Sequence, residues 1–153
     1  MSKKTAVIGL GNTLRRDDGI GIIILESLLN FYKRKDIDYF DFGIASFDLI
    51  NRINGYVAAL LIDGIDAGLW PGEIKIFELK DIEYNQDAPV SSTHELDLKN
   101  LFDLVKSLEI KTRIYVAGIQ VEDTSFGEGL SEGLENKKEN IIKEIDRFID
   151  KTF

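Results

Sequence analysis

Short apolar runs alternate along the chain with longer segments in which apolar residues recur every three or four positions. Nearly continuous apolar runs predict buried strands, and the longer periodic segments predict amphipathic helices. The predicted strands cover residues 5–10, 37–42, 56–63, 73–79 and 113–119, and the predicted helices cover 19–34, 47–53, a segment opened by a capping box at 92–95, and a C-terminal segment around 134–149. Charged and apolar residues alternate in 73–79, which predicts a strand at the edge of the sheet.

This order of elements predicts an α/β fold, a three-layer sandwich in which a mostly parallel, twisted sheet of about five strands carries helices on both faces. The length of 153 residues fits one domain that covers 1–153. In parallel sheets of this kind, ligands bind outside the carboxyl ends of the strands. Functional residues are therefore expected in the loops that follow Leu10, Phe42, Asp63 and Ile119.

Composition and charge narrow the classes of function. The chain has no cysteine, which removes disulfides, thiolate metal sites and a cysteine nucleophile. Its net charge of −8 argues against nucleic acid as a partner, because phosphate binding needs a basic surface. The first apolar run is broken by Gly9 and Gly11, which is not typical of a signal peptide, and no segment approaches the length of a membrane span. We therefore expect a cytoplasmic protein with no nucleic-acid or membrane partner.

The loop after the first strand contains two neighbouring acids, Asp17 and Asp18. Gly9 and Gly11 begin a dinucleotide-binding pattern, but the third glycine of that pattern would fall at Leu14. The two carboxylates also stand just before the predicted helix, where they would repel a phosphate group. Two interpretations of the acids remain open, namely capping of the helix and binding of a cation.

Three further candidates lie elsewhere in the sequence. Asp63 ends a strongly apolar strand, where a cation could neutralise its carboxylate, and Asp66 could close the following turn or support a site. His94 is the only histidine, and a lone histidine is more often structural than a ligand. However, it follows Ser92 in the first turn of a predicted helix, where the helix dipole disfavours protonation and favours a neutral imidazole that can bind metal.

Asp63, His94 and one of the two loop acids would bind a divalent first-row metal and leave positions open for water or substrate, as in catalytic sites. Oxygen and imidazole ligands suit nickel, zinc, cobalt or iron(II), and affinity alone does not select among them. Other catalytic arrangements have less support. No serine lies in a nucleophile-elbow sequence, and one histidine excludes the two-histidine zinc motif. Asp17 and Asp18 are adjacent, which usually points their side chains apart rather than into a shared-proton pair.

The chain resembles the maturation endopeptidases of [NiFe] hydrogenases in four motifs, which occur in the order found in that family. These are Gly9-Leu10-Gly11-Asn12-Thr13-Leu14 with Asp17-Asp18-Gly19-Ile20-Gly21, then Leu61-Ile62-Asp63, then Pro71-Gly72-Glu73 before a strand, and then Ser92-Thr93-His94-Glu95-Leu96. Together the motifs span most of the chain. The resemblance also implies a sheet-centred α/β sandwich.

The resemblance implies an endopeptidase that removes the C-terminal extension of a [NiFe] hydrogenase large-subunit precursor after nickel insertion. Carried over by position, it assigns the metal ligands and catalytic residues to Asp18, Asp63 and His94, with Asp17 and Asp66 as candidates for a supporting role. Nickel is expected to arrive with the substrate, and cadmium or zinc is expected to replace it in crystals. Whether the mechanism is of the metallo or the aspartic type, and which residue is the general base, stays open.

Asp41 and Gly43 match a stretch that the family uses for substrate recognition, whereas Phe42 and Ile44 depart from it. The departure indicates either a repacked loop or a different hydrogenase partner. Three rival functions are a peptidase of the same fold with another protein client, a non-enzymatic nickel-binding maturation chaperone, and a nucleotide-binding domain. The missing third glycine and the acidic loop count against the last of these.

Overall fold

The computed structural model describes residues 4–44, 48–84, 91–92 and 98–153, and in these residues a mixed β-sheet lies between two layers of helices. Two short 3₁₀ helices cover Arg16–Gly19 and Leu79–Tyr84. The strands are β1 (Thr5–Leu10), β2 (Ile37–Gly43), β3 (Ala58–Asp66), β4 (Ile74–Glu78), β5 (Ser91–Ser92) and β6 (Arg113–Gln120), and the helices are α1 (Ile20–Phe31), α2 (Asp48–Ile53), α3 (Leu98–Ser107) and α4 (Glu132–Thr152).

The sheet has the strand order β2-β1-β3-β6-β4, so β3 lies at its centre. β1, β2, β3 and β6 are parallel, whereas β4 pairs antiparallel with β6. β5 pairs antiparallel with Ile65 and Asp66 of β3. β6 pairs with one edge of β3 as far as Ile65, whereas β1 pairs with the other edge only as far as the pair of Gly9 and Ile62. β5 therefore pairs with β3 on the β1 side, beyond the end of β1. The predicted α/β sandwich with a mostly parallel sheet is confirmed.

The apolar side chains of the sheet divide between two cores, one on each face. Alternate residues of a strand point to opposite faces, so Leu60 and Ile62 pack with α1 and α4, whereas Ala59 and Leu61 pack with α2 and α3. Full burial of a side chain the size of leucine stabilises the fold by roughly 1.5–3 kcal/mol. Burial on both faces explains why the sequence of β3 is an almost continuous apolar run.

Helix α1 lies close to the sheet because Gly21 faces the backbone of two strands. A Cβ atom at this position would lie 2.2 Å from the carbonyl oxygens of Ile62 and of Leu10. Gly9 of β1 provides a similar gap, since a Cβ there would lie 2.7 Å from the carbonyl oxygen of Gly21. The close approach places the first turn of α1, and the 3₁₀ helix before it, over the carboxyl ends of β1 and β3.

Some boundaries differ from those predicted. Helix α1 begins at Ile20 after a 3₁₀ helix and ends at Phe31, so it is shorter than the predicted 19–34. Ser92, predicted to open a helix, belongs to β5, which with two residues is too short to show an apolar period. The described part of α3 begins at Leu98, and residues 93–97 lie outside the described residues.

In the parts of the chain that the structure describes, no helix is long and apolar enough to cross a membrane.

We predict that Gly21→Ala lowers the free energy of unfolding by about 2 kcal/mol or more, because the methyl group would collide with two backbone oxygens. Urea denaturation of the purified variant measures the change. Gly133→Ala in α4 is the matched control, because its methyl group would meet only the carboxylate end of Glu122, which can move. The control should be neutral or more stable than the wild type by about 0.5–1 kcal/mol. Equal stability of the two variants would contradict the close-packing interpretation.

Candidate functional site

Asp63 lies in β3 at the point where the neighbouring strand β1 ends. The last β1–β3 pair joins Gly9 to Ile62, and Asp63 is the next residue of β3. It is 1% exposed, and by strand alternation it points to the same face as Leu61, towards α2 and α3. On the other side it is paired with Gly118 of β6, which has no side chain. β3 continues for three residues to Asp66, so Asp63 does not end the strand as predicted; its carboxylate is buried within β3, beside the end of β1.

Asp18 lies in the 3₁₀ helix that follows β1 and is 3% exposed. The backbone N–H of Asn12 donates to both the carbonyl oxygen and Oδ2 of Asp18, each at 3.2 Å, and the N–H of Asp18 donates to the carbonyl oxygen of Arg15 at 3.0 Å. The turn is compact because Gly11, with a φ of +149°, lacks the Cβ atom that would lie 2.2 Å from the carbonyl oxygen of Asp18. These contacts hold Asp18 close to the end of β1.

Asp17 has a different role, because its buried carboxylate joins the loop after β1 to the loop after β6. Oδ2 accepts hydrogen bonds from the N–H groups of Glu122 and Asp123, both at 2.9 Å, and from the Ser131 hydroxyl at 2.8 Å. Oδ1 accepts a bond from the Ser131 N–H at 2.7 Å. Hydrogen bonds to a charged carboxylate are stronger than those between neutral groups. Asp17 therefore fixes the loop that leads from β6 into α4.

Of the two interpretations left open for these acids, capping of the first helix does not agree with the structure. The residue that precedes α1 is Gly19, which has no side chain and so makes no cap hydrogen bond. A 3₁₀ helix stands between the loop and α1, and it directs the two carboxylates to different partners.

Asp66 is the last residue of β3 and is exposed. It is three residues after Asp63, so strand alternation points it to the opposite face. The Gln120 side chain donates from Nε2 to Oδ1 of Asp66 at 3.2 Å, and its Oε1 accepts bonds from the N–H groups of Ala67 at 2.8 Å and Leu69 at 3.2 Å. Of the two predicted roles for Asp66, these contacts agree with closure of the turn after β3.

Asp41 and Gly43 form a turn at the end of β2, beside the loop that carries Asp18. The N–H of Gly43 donates to Oδ1 of Asp41 at 3.0 Å, and the carbonyl oxygen of Gly43 accepts a bond from the N–H of Gly11 at 2.8 Å. Gly43 has a φ of +58°, which glycine adopts more readily than other residues. The structure therefore brings these two residues to the same edge of the sheet as Asp18 and Asp63.

His94, the third predicted ligand, lies outside the described residues. The described chain comes closest to it in sequence at Ser92, which pairs with Ile65, two residues beyond Asp63. Because β5 is antiparallel to β3, the direction from Ser91 to Ser92 is towards Asp63.

The pKa of one half-exposed acid near the site, Asp123, is lowered by its neighbours. Ser125 donates to Oδ1 of Asp123 from its hydroxyl at 2.6 Å and from its N–H at 2.9 Å, and these bonds lower the pKa of Asp123 below its usual value. The Arg16 guanidinium, 3.7 Å from the second oxygen of Asp123, lowers the pKa further. Both side chains of this ion pair are exposed, so it adds little stability.

Asp18 and Asp63 are both buried carboxylates at the edge of the sheet where ligands of parallel sheets bind. Burial of a carboxylate is unfavourable unless the group is hydrogen-bonded, paired or bound to a metal. Carboxylate oxygens are ligands for several divalent first-row metals. Within residues 4–44, 48–84, 91–92 and 98–153, no group of three or more His, Cys, Asp or Glu side chains is placed to hold a metal ion. Of the three predicted ligands, the described residues include Asp18 and Asp63 but not His94.

Two residues that organise the site were missed in the sequence. Gln120 follows the predicted strand 113–119 by one position and is buried, so an extension of that strand by one polar residue would have included it. Ser131, which gives two hydrogen bonds to Asp17, carries no sequence signal that distinguishes it from other loop serines.

The fold agrees with a family found by comparison with known proteins. A family model described as HycI, hydrogenase maturation protease, matches residues 22–147. The matched segment is well over half of the 153 residues. The chain belongs to the hydrogenase maturation protease family.

Relatives from hydrogenase biosynthesis match large parts of the chain. The hydrogenase expression/formation protein HupD of Rhizobium leguminosarum bv. viciae is 30% identical over 90 residues, which are 58% of this chain and 45% of HupD. The protein HoxM of Azotobacter vinelandii is 25% identical over 140 residues, 90% of this chain and 68% of HoxM. The [NiFe] hydrogenase maturation protease HybD from Thermococcus kodakarensis shares the fold, with a TM-score of 0.76 and 24% identity over 95% of this chain and 98% of that one.

The chain therefore spans about half to two-thirds of the length of the curated relatives it matches. The likeness to HybD, at 24% identity, supports the fold alone.

We predict that Asp17→Asn lowers the free energy of unfolding by about 2–3 kcal/mol, because the variant loses the charge and turns one acceptor into a donor that faces N–H groups. Urea denaturation measures the loss, and hydrogen exchange at the amides of Glu122 and Ser131 should accelerate. Asp123→Asn is the control, because that side chain is exposed and should change stability by less than about 1 kcal/mol. If both variants lost the same stability, Asp17 would not be the link between the loops.

Proposed function

We propose that this chain is an endopeptidase that removes the C-terminal extension of a [NiFe] hydrogenase large-subunit precursor after nickel has been inserted. One observation carries the proposal: Asp18, in the loop after β1, and Asp63, in β3 just beyond its last pair with β1, are both buried at the same edge of the sheet. Membership of the hydrogenase maturation protease family supports the reaction class and the client. The two buried acids support the assignment of the reaction to this edge of the sheet.

In this proposal Asp18, Asp63 and His94 complete the coordination of the nickel that the precursor carries, so metal loading is tested before cleavage. Oxygen and imidazole ligands suit nickel. The direction of β5 supports the third ligand, because Ser92 pairs with Ile65 and leads towards Asp63, and His94 follows two residues later in the sequence. Three protein ligands leave coordination positions for the substrate.

The structure supports a division of labour among the nearby acids. Asp17 accepts four hydrogen bonds, which favours a structural role over proton transfer. Asp66 points to the face opposite that of Asp63 and is bonded to Gln120. In this proposal the family motifs assign contact with the metal, or with the proton of the attacking water, to Asp18 and Asp63. A divalent ion bound here would polarise the scissile carbonyl or make bound water more acidic.

Asp41 and Gly43 are proposed to contact the precursor beside these acids. The turn that they form is bonded to Gly11, at the start of the loop that carries Asp18. The cytoplasmic location stays a prediction from the sequence.

We expect the purified protein to shorten a nickel-loaded large-subunit precursor at its C-terminus and to leave the nickel-free precursor intact. Intact-mass spectrometry of the large subunit measures the shortening. Asp63→Asn and His94→Ala should each lower kcat by about 100-fold or more, as losses of groups that stabilise transition-state charge do. Asp36→Asn is the matched control, because Asp36 is exposed and directly precedes β2, at the amino ends of the parallel strands. This variant should cleave like the wild type.

Complete cleavage by a double variant with Asp63→Ala and His94→Ala would reject the assignment of these residues. Stable binding of the precursor by the wild type without any shortening would favour a maturation chaperone instead. Cleavage of another protein, with no cleavage of a hydrogenase precursor, would favour a peptidase with a different client.

A further inference from the structure

Two large apolar side chains are exposed where the loop after β1 meets the loop after β6. Leu14 is 57% exposed and Phe126 is 81% exposed. Their loops are joined by backbone hydrogen bonds, from the Gly127 N–H to the Leu14 carbonyl oxygen at 2.9 Å and from the Arg16 N–H to the Gly127 carbonyl oxygen at 3.0 Å. We call Leu14 and Phe126 the apolar rim.

The apolar rim is exposed on loops that are held firmly in place. Arg15 donates from Nε to the carbonyl oxygen of Thr124 at 3.1 Å, and Asp17 binds the same loop through four further hydrogen bonds. The Arg15 guanidinium also lies over the Phe126 ring, 5.6 Å from its centre, which favours one orientation of the ring. Apolar groups on an ordered backbone have little backbone conformational entropy left to lose when they bind a partner.

The apolar rim is continuous with the candidate site. Leu14 and Asp18 belong to one short loop, which is closed by the hydrogen bond from the Asn12 N–H to the Asp18 carbonyl oxygen at 3.2 Å. A peptide that reaches the carboxylate of Asp18 therefore comes within one turn of chain of Leu14. Asp17, the neighbour of Asp18, fixes the other half of the rim through the loop that carries Phe126.

We propose that the apolar rim binds an apolar side chain of the large-subunit precursor close to the bond that is cut, an inference that rests on the proposed function. The alternative occupant is a second copy of this chain, but a stable interface buries about 800 Å² on each partner. An aromatic side chain buries only about 150–250 Å², so two side chains supply a fraction of that area. The rim is suited to one anchoring contact with a peptide segment.

Phe126→Ala should raise KM for the nickel-loaded precursor by about 5- to 30-fold, the loss expected when an anchoring side chain is truncated, and should leave kcat within about twofold. Leu14→Ala should act in the same direction with a smaller effect. Phe31→Ala is the matched control, because Phe31 is 79% exposed but lies at the far end of α1, and its KM should equal that of the wild type.

A second measurement separates this inference from the proposed function. Binding of the precursor is measured directly with Asp63→Asn, in which cleavage is impaired, with and without Phe126→Ala. Weaker binding on loss of Phe126 supports the rim even if the wild type proves not to cleave. Equal binding of the two variants, or KM values for Phe126→Ala and Phe31→Ala that both match the wild type, would overturn it. A wild-type dimer in sedimentation that Phe126→Ala converts to a monomer would also overturn it, because a second copy would then cover the rim.

Discussion

The carboxylate of Asp17 is the interaction on which the arrangement of the candidate site depends. It binds three backbone N–H groups and one hydroxyl from the segment between β6 and α4, all at 2.7–2.9 Å. The same short turn carries Asp18 and Leu14, and the bonded segment carries Phe126. One buried charge therefore fixes the position of a proposed metal ligand and of the apolar rim relative to each other.

Two adjacent aspartates can have separate roles because of the local backbone conformation. Successive side chains of a 3₁₀ helix point about 120° apart, since the helix has three residues per turn. Asp17 thus reaches the loop after β6, while Asp18 stays at the end of β1, where its Oδ2 accepts the N–H of Asn12. The geometry agrees with the expectation that neighbouring acids do not form a shared-proton pair. It favours one structural acid and one acid for binding.

The apolar pattern was enough to locate most of the fold, because β3 and its neighbours are buried on both faces and α1 and α4 on one. It also predicted that four of the strands are parallel, so that their carboxyl ends lie at one edge of the sheet. The role of Asp17 could not be predicted, because its partners lie 105 to 114 positions further along the chain. β5 has only two residues and no apolar period. The choice of Asp18 over Asp17 as a ligand came from the family resemblance, and a periodicity argument could not have made it.

In the proposed function, Asp18 and Asp63 share one cation with His94. This arrangement can be observed in a crystal structure of the protein soaked with zinc, with anomalous data at the zinc edge. We expect one anomalous peak about 2.0–2.2 Å from an oxygen of each carboxylate and from a ring nitrogen of the histidine. A peak that contacts only one of the three side chains, or an imidazole directed away from both acids, would contradict it.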